Sequence, residues 1–168
     1  MFKFIENIPQ IPEELLLQDI DTITNRENMF GEKKAKEVYS THDAPIELYN
    51  FLKPYFKNNI QIRYQVIKKQ LPIHIDAHAK YVSHVFNYIL QTGGDNVKTR
   101  WWKMPKKKQL VFDGGAVDIC MGDEQAKDQL VHEIIIPPKR WHKLRVDFPH
   151  DISKINNPRV GITLWEIT

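Results

Sequence analysis

From residue 59 onward, apolar and polar positions alternate. Ile60, Ile62, Tyr64 and Val66 are separated by polar residues, the period-two pattern of a half-buried strand. Strand-like runs follow at Leu71 to Asp76, Tyr81 to Leu90, Lys98 to Met104, Gln109 to Phe112, Leu130 to Ile136, Trp141 to Phe148 and Val160 to Ile167. Turn-forming groups separate them: Thr92-Gly93-Gly94-Asp95-Asn96, Asp113-Gly114-Gly115, Pro137-Pro138, Pro149 and Asn156-Asn157-Pro158.

The N-terminal third has a different rhythm. A short apolar start, Met1 to Ile5, precedes Pro12 and Glu13-Glu14-Leu15-Leu16-Leu17, where a first-turn proline and acidic residues predict a helix start. Residues 31–45 are polar and charged and read as a loop. Asp43-Ala44-Pro45 then opens a second helix, Ile46 to about Lys57, whose Leu48, Phe51, Leu52, Tyr55 and Phe56 recur at three- and four-residue spacing. The pattern predicts one domain over 1–168, with a helical and loop flank over 1–58 and a β core over 59–168. The expected fold is mainly β: a double-stranded β-helix, or cupin-like jelly-roll, closing two antiparallel sheets over a cavity.

Composition narrows the setting. A chain of 168 residues, 42% hydrophobic and 27% charged, can bury a core and is not a disordered polymer. The single cysteine, Cys120, excludes an internal disulfide; with no N-terminal signal pattern, it points to a cytoplasmic location, the host cytoplasm if the chain is phage-encoded. No apolar run is long enough to span a bilayer. The net charge of +3 is clumped at Lys33-Lys34-Lys36, at Lys103 with Lys106-Lys107-Lys108, and at Lys139-Arg140 with Lys143. These clusters read as solvated loops, and without interleaved aromatics they argue against a nucleic-acid platform.

Candidate chemistry centres on His74-Ile75-Asp76. On extended backbone His74 and Asp76 point to one face and Ile73, Ile75 and Ala77 to the other. A distal histidine would complete a 2-His-1-carboxylate set, which suits non-haem Fe(II) and oxygen chemistry. His150 is preferred on its nine-residue spacing to Arg159, with His142 as the alternative. Arg159 can form a bidentate pair with a carboxylate. His78 shares the ideal-strand face with His74 and reads as a rim residue. Cys120 has no neighbour in sequence that marks it as a nucleophile.

The order His-x-Asp, distal His, then Arg about one strand later resembles the Fe(II)/2-oxoglutarate-dependent dioxygenases over about residues 60–167. Leu71-Pro72-Ile73-His74-Ile75-Asp76, Phe86-Asn87-Tyr88-Ile89-Leu90, Thr99-Arg100-Trp101-Trp102 and Trp141 ahead of His150 are similar to a small branch near the aspartyl/asparaginyl and prolyl hydroxylases, including marine phage and bacterial members. The resemblance implies iron held by His74, Asp76 and His150, with Arg159 on the distal carboxylate of 2-oxoglutarate. Asn87 and Tyr64 are candidate cosubstrate contacts, and Trp102 and His78 candidate substrate contacts. The substrate class it implies is a protein or peptide side chain or a free amino acid. His78 and Ala79 depart from that family's usual residues after the motif. Two other readings are a non-catalytic jelly-roll, for binding or virion structure, and a metal-binding cupin of other chemistry. The latter usually carries a His-x-His with Glu and a further His, a pattern missing here.

Overall fold

The computed structural model describes residues 1–16, 38–76, 82–103, 117–121, 126 and 128–167. Among them are eleven strands: β1 (Phe2–Phe4), β2 (Tyr39–Asp43), β3 (Asn59–Ile67), β4 (Ile73–Asp76), β5 (His84–Gln91), β6 (Lys98–Trp102), β7 (Val117–Met121), β8 (Leu130–Ile135), β9 (Trp141–Arg145), β10 (His150–Ile152) and β11 (Arg159–Ile167). One α-helix, α1 (Ile46–Leu52), precedes β3.

The strands form a six-stranded sheet, β1-β9-β5-β11-β3-β2, and a five-stranded sheet, β7-β4-β10-β6-β8. Every pairing is antiparallel. Strands β3, β5, β9 and β11 lie in the first sheet, and β4, β6, β8 and β10 in the second. The chain therefore crosses between sheets at each step from β3 to β6 and again from β8 to β11, while β6, β7 and β8 stay in the second sheet. That is the double-stranded β-helix expected from the alternation.

Antiparallel partners share a face, so register sorts every strand into an inner and an outer side. Val160, Ile162 and Leu164 of β11 join Ile60, Ile62, Tyr64 and Val66 of β3 in an outer core beneath Leu48 and Leu52 of α1. Arg159, Gly161 and Thr163 occupy the alternate, inner positions of β11. A Cβ at Gly161 would lie 3.1 Å from the Tyr88 carbonyl oxygen, at the register slip between β5 and β11, so glycine permits the close approach there. Leu48 is fully buried in the outer core, and Leu48→Ala is expected to cost about 2–5 kcal/mol of unfolding free energy. A denaturant midpoint unchanged from wild type would contradict that placement.

Several sequence expectations are corrected here. The loop expected over 31–45 contains strand β2, which pairs with β3 at the sheet edge. Its residues are mostly polar, but the backbone of β3 satisfies its hydrogen bonds, so no apolar alternation is needed. Helix α1 ends at Leu52 and continues only as a 3-10 turn, Lys53–Tyr55. Pro54 explains the stop, because it has no N–H to donate and its ring disfavours helix around it. The predicted first helix is a 3-10 turn, Glu13–Leu15, within the described residues. The apolar start is β1, paired with β9. Strand β7 had no alternating signal ahead of it, and the run Gln109 to Phe112 lies outside the described residues. No helix among the described residues is long and apolar enough to cross a membrane.

Candidate metal centre

His74 and His150 stand directly opposite each other on β4 and β10. Their rings are 4.5 Å apart between centroids, and Asp76 lies two residues on from His74, on the same face. Asp76 Oδ1 is 3.5 Å from Nε2 of His74 and 3.5 Å from Nε2 of His150. One ligand atom from each of the three residues falls within 4.8 Å of the others. His74 is buried, and His150 and Asp76 are half-buried.

The ring orientations are set locally and identically. Nδ1 of His74 meets the Pro72 carbonyl at 2.6 Å, and Nδ1 of His150 meets the Phe148 carbonyl at 2.8 Å. A carbonyl oxygen has no hydrogen to give, so Nδ1–H is the donor in each case. Each Nε2 then turns its lone pair toward the Asp76 carboxylate. Three electron-pair donors converge, an arrangement that a proton or a cation can bridge.

Electrostatics express the same convergence. Burial raises the Asp76 carboxyl, but hydrogen bonds and charge from His150 and His74 outweigh it and hold Asp76 well below the ordinary carboxylate range. Burial lowers His150, yet the bond to Asp76, its charge and the Phe148 carbonyl raise it on balance. Without a metal, a proton between His150 and Asp76 would play the bridging part. The donor set fits a divalent transition ion: ligand atoms each ~2.1 Å from one ion lie ~3.0–3.4 Å apart, close to the 3.5 Å from Asp76 Oδ1 to each Nε2.

The other predicted residues divide sharply. Arg159 is buried on the inner face, and its Nη2 donates to Thr99 Oγ1 of the opposite sheet at 3.4 Å. Its Nη1 has no partner, and burial lowers the guanidinium only to about 10, so it stays charged at neutral pH. A buried cation with no carboxylate beside it among the described residues is a ready anion site. Asn87 is also buried and inner-facing, paired with Thr163 and His142.

Tyr64 is not placed with Arg159. It pairs with Ile162 and packs in the outer core, because its position on β3 has the opposite parity from Ile67, the partner of Arg159. Trp102 lies on the outer face of the five-stranded sheet with Ile73 and Ile75, and its indole donates to Asp151 Oδ1 at 3.1 Å. Its neighbour Trp101 takes the inner face opposite His150. His142 belongs to β9 in the other sheet, away from the His74, Asp76 and His150 group. His78 lies outside the described residues.

Two contributors escaped the sequence reading. Thr99 could have been found from the two-residue spacing to Trp101 on β6. Tyr39 had no such signal, since β2 read as loop. Its phenol accepts from Gln65 Nε2 at 3.4 Å, and burial, with the Asp76 charge adding to it, pushes it up to about 12.

No family model and no curated protein matches this sequence. Solved structures match at low identity. Oxalate decarboxylase of Bacillus subtilis, described with Mn(II) centres, is 10% identical with a TM-score of 0.41, over 84% of this chain and 28% of that one. Hydroquinone 1,2-dioxygenase from Sphingomonas sp. TTNP3 is 12% identical with a TM-score of 0.38, over 67% and 61%. The ycfD protein of E. coli is 13% identical with a TM-score of 0.36, over 66% and 26%. This chain thus spans 28% of the oxalate decarboxylase chain, and the assignment to the cupin-like jelly-roll class rests on the strand order described above.

Proposed function

We propose that the protein is an Fe(II)- and 2-oxoglutarate-dependent oxygenase, hydroxylating an amino acid or a peptide side chain in the cytoplasm. The observation that carries this reading is the convergence of His74 Nε2, His150 Nε2 and Asp76 Oδ1, with both Nδ1 atoms held by backbone carbonyls. These three side chains would hold the metal. Bound there, iron would supply the oxygen-activating chemistry associated with 2-His-1-carboxylate sites. Pro72 and Phe148 fix the ring tautomers, so neither imidazole has to reorganise on binding. Arg159, charged and without an acidic partner among the described residues, would take the distal carboxylate of 2-oxoglutarate through Nη1, steadied by Thr99. Tyr39 and Gln65 would line the same inner row, since Tyr39 and Arg159 both pair with Ile67.

An anaerobic titration of the metal-free protein with Fe(II) and 2-oxoglutarate tests this by visible absorption. A charge-transfer band needing both additions is expected, and His74→Ala should abolish it. Arg159→Gln should raise the 2-oxoglutarate needed by about 10–100-fold, the range for losing hydrogen bonds from a charged donor. No band in the wild type, indistinguishable from His74→Ala, would overturn the proposal and leave a non-catalytic jelly-roll.

A further inference from the structure

Three buried side-chain atoms among the described residues lack a hydrogen-bond partner: Asn87 Oδ1, His142 Nε2 and Arg159 Nη1. All belong to the inner face of the six-stranded sheet. Arg159 Nη1 is a donor and suits a carboxylate. The other two are acceptors and make a different chemical demand.

Asn87 and His142 are opposite partners on β5 and β9. Cross-strand partners on one face have Cβ atoms about 4.5–5.5 Å apart, close enough for one small group to meet both. Apart from Thr163, the buried partner of Asn87 on β11, the side chains around the pair are mostly apolar. Val85 and Ile89 flank Asn87 on β5, Leu144 follows His142 on β9, and Trp101 of the opposite sheet joins the same cluster. The Phe2 ring lies 5.6 Å from that of His142. The Trp101 indole N–H is taken by the Arg145 carbonyl at 3.0 Å.

The acceptor character of His142 is fixed by its own strand. Nδ1 faces the Arg140 carbonyl at 3.2 Å, so it carries the hydrogen and leaves Nε2 with a lone pair. Burial, and secondarily the Arg159 charge, push His142 down to about 4, so the ring is neutral at neutral pH. A carboxylate or ketone oxygen between Nε2 and Oδ1 would face only lone pairs. An ammonium would bring a second buried positive charge into the field of Arg159. What remains is a neutral group with hydrogens to give.

We propose that Asn87 and His142 form a subsite for the molecule to be oxidised, taking a neutral O–H or N–H donor such as an alcohol or a primary carboxamide. The inference rests on the oxygenase reading only for the role of its occupant. Trp101 connects the subsite to the metal centre, because it pairs with His150 on one side and packs with the residues flanking Asn87 on the other. 2-Oxoglutarate has no such donor and belongs at Arg159.

The test uses the metal-free, full-length chain with 15N-labelled histidine, followed by long-range 1H–15N spectra. Acetamide is the probe, and acetone, similar in size but without a donor, is the control. Acetamide should shift the His142 Nε2 resonance saturably and bind about tenfold tighter than acetone, the ratio that one or two net hydrogen bonds supply. Asn87→Leu should erase that preference. An unmoved His142 resonance, or equal effects of both probes on the wild type, would overturn the proposal whether or not the variant folds. Because neither iron nor 2-oxoglutarate is present, the outcome is separate from the charge-transfer titration. A shifted His142 with no band keeps the subsite and removes the oxygenase; a band with an unmoved His142 does the reverse.

Discussion

Asp151→Ala is expected to destabilise the protein by about 3–5 kcal/mol, although Asp151 is not one of the three converging side chains. Asp151 is fully buried on the outer face of β10. It accepts from Arg100 Nε at 2.9 Å and Nη2 at 2.5 Å, and from the Trp102 indole at 3.1 Å. Removing the carboxylate strands an arginine and an indole N–H against apolar packing by Ile73 and Ile75. Arg100 is partly exposed and can recover some hydration, which favours the lower end of the range. The same network ties β10 to β6 at the residue after His150, so it also fixes the strand from which that imidazole projects. Chemical denaturation followed by tryptophan fluorescence measures the loss. A change below about 1 kcal/mol, the scale of an exposed ion pair, would show that the network is solvated and contributes little.

The second large effect is at Asp76. Asp76→Ala is expected to weaken divalent-metal binding by more than about 100-fold, beyond what loss of an outer-shell partner costs. It should also change the pH dependence of the metal-free chain. The depressed Asp76 carboxyl contributes stability above its unfolded value near 3.9, lost as pH falls through the lower folded value. The raised His150 contributes stability below its unfolded value near 6.5, lost as pH rises through the higher folded value. Relative to Asp76→Ala, the metal-free wild type should therefore lose melting temperature from pH 6 to pH 8. Buried His142, held at about 4, contributes the opposite slope to both chains. Mn(II), standing in for Fe(II) under air, should replace the proton and offset that decline. The same change in melting temperature between pH 6 and pH 8 in the metal-free wild type and in Asp76→Ala would mean that the His150–Asp76 pair does not hold a proton.

Much of the architecture was legible because strand periodicity is local. Ile60 to Val66 and Val160 to Ile167 alternate over enough residues to mark strands unaided. The His74-Ile75-Asp76 spacing placed two side chains on one face. Strand β2 was illegible for a physical reason: an edge strand is stabilised by its neighbour's backbone, so Tyr39 to Asp43 needs no apolar period of its own.

What period two cannot say is which side of a sheet a face will meet. Tyr64 and Trp102 have the composition of pocket residues, yet Tyr64 packs under α1 and Trp102 against Ile73 and Ile75. The choice between His150 and His142 was equally nonlocal. Both use Nδ1 to donate to the carbonyl two residues back, so locally they are the same device. Pairing of β10 with β4 puts His150 opposite His74, whereas β9 carries His142 into the other sheet. The sequence by itself determined the regularly alternating strands such as β3 and β11, the shared face of His74 and Asp76, and the positive charge of Arg159. The tertiary structure decided which histidine meets them and what lies inside, because those depend on pairings between residues far apart in the chain.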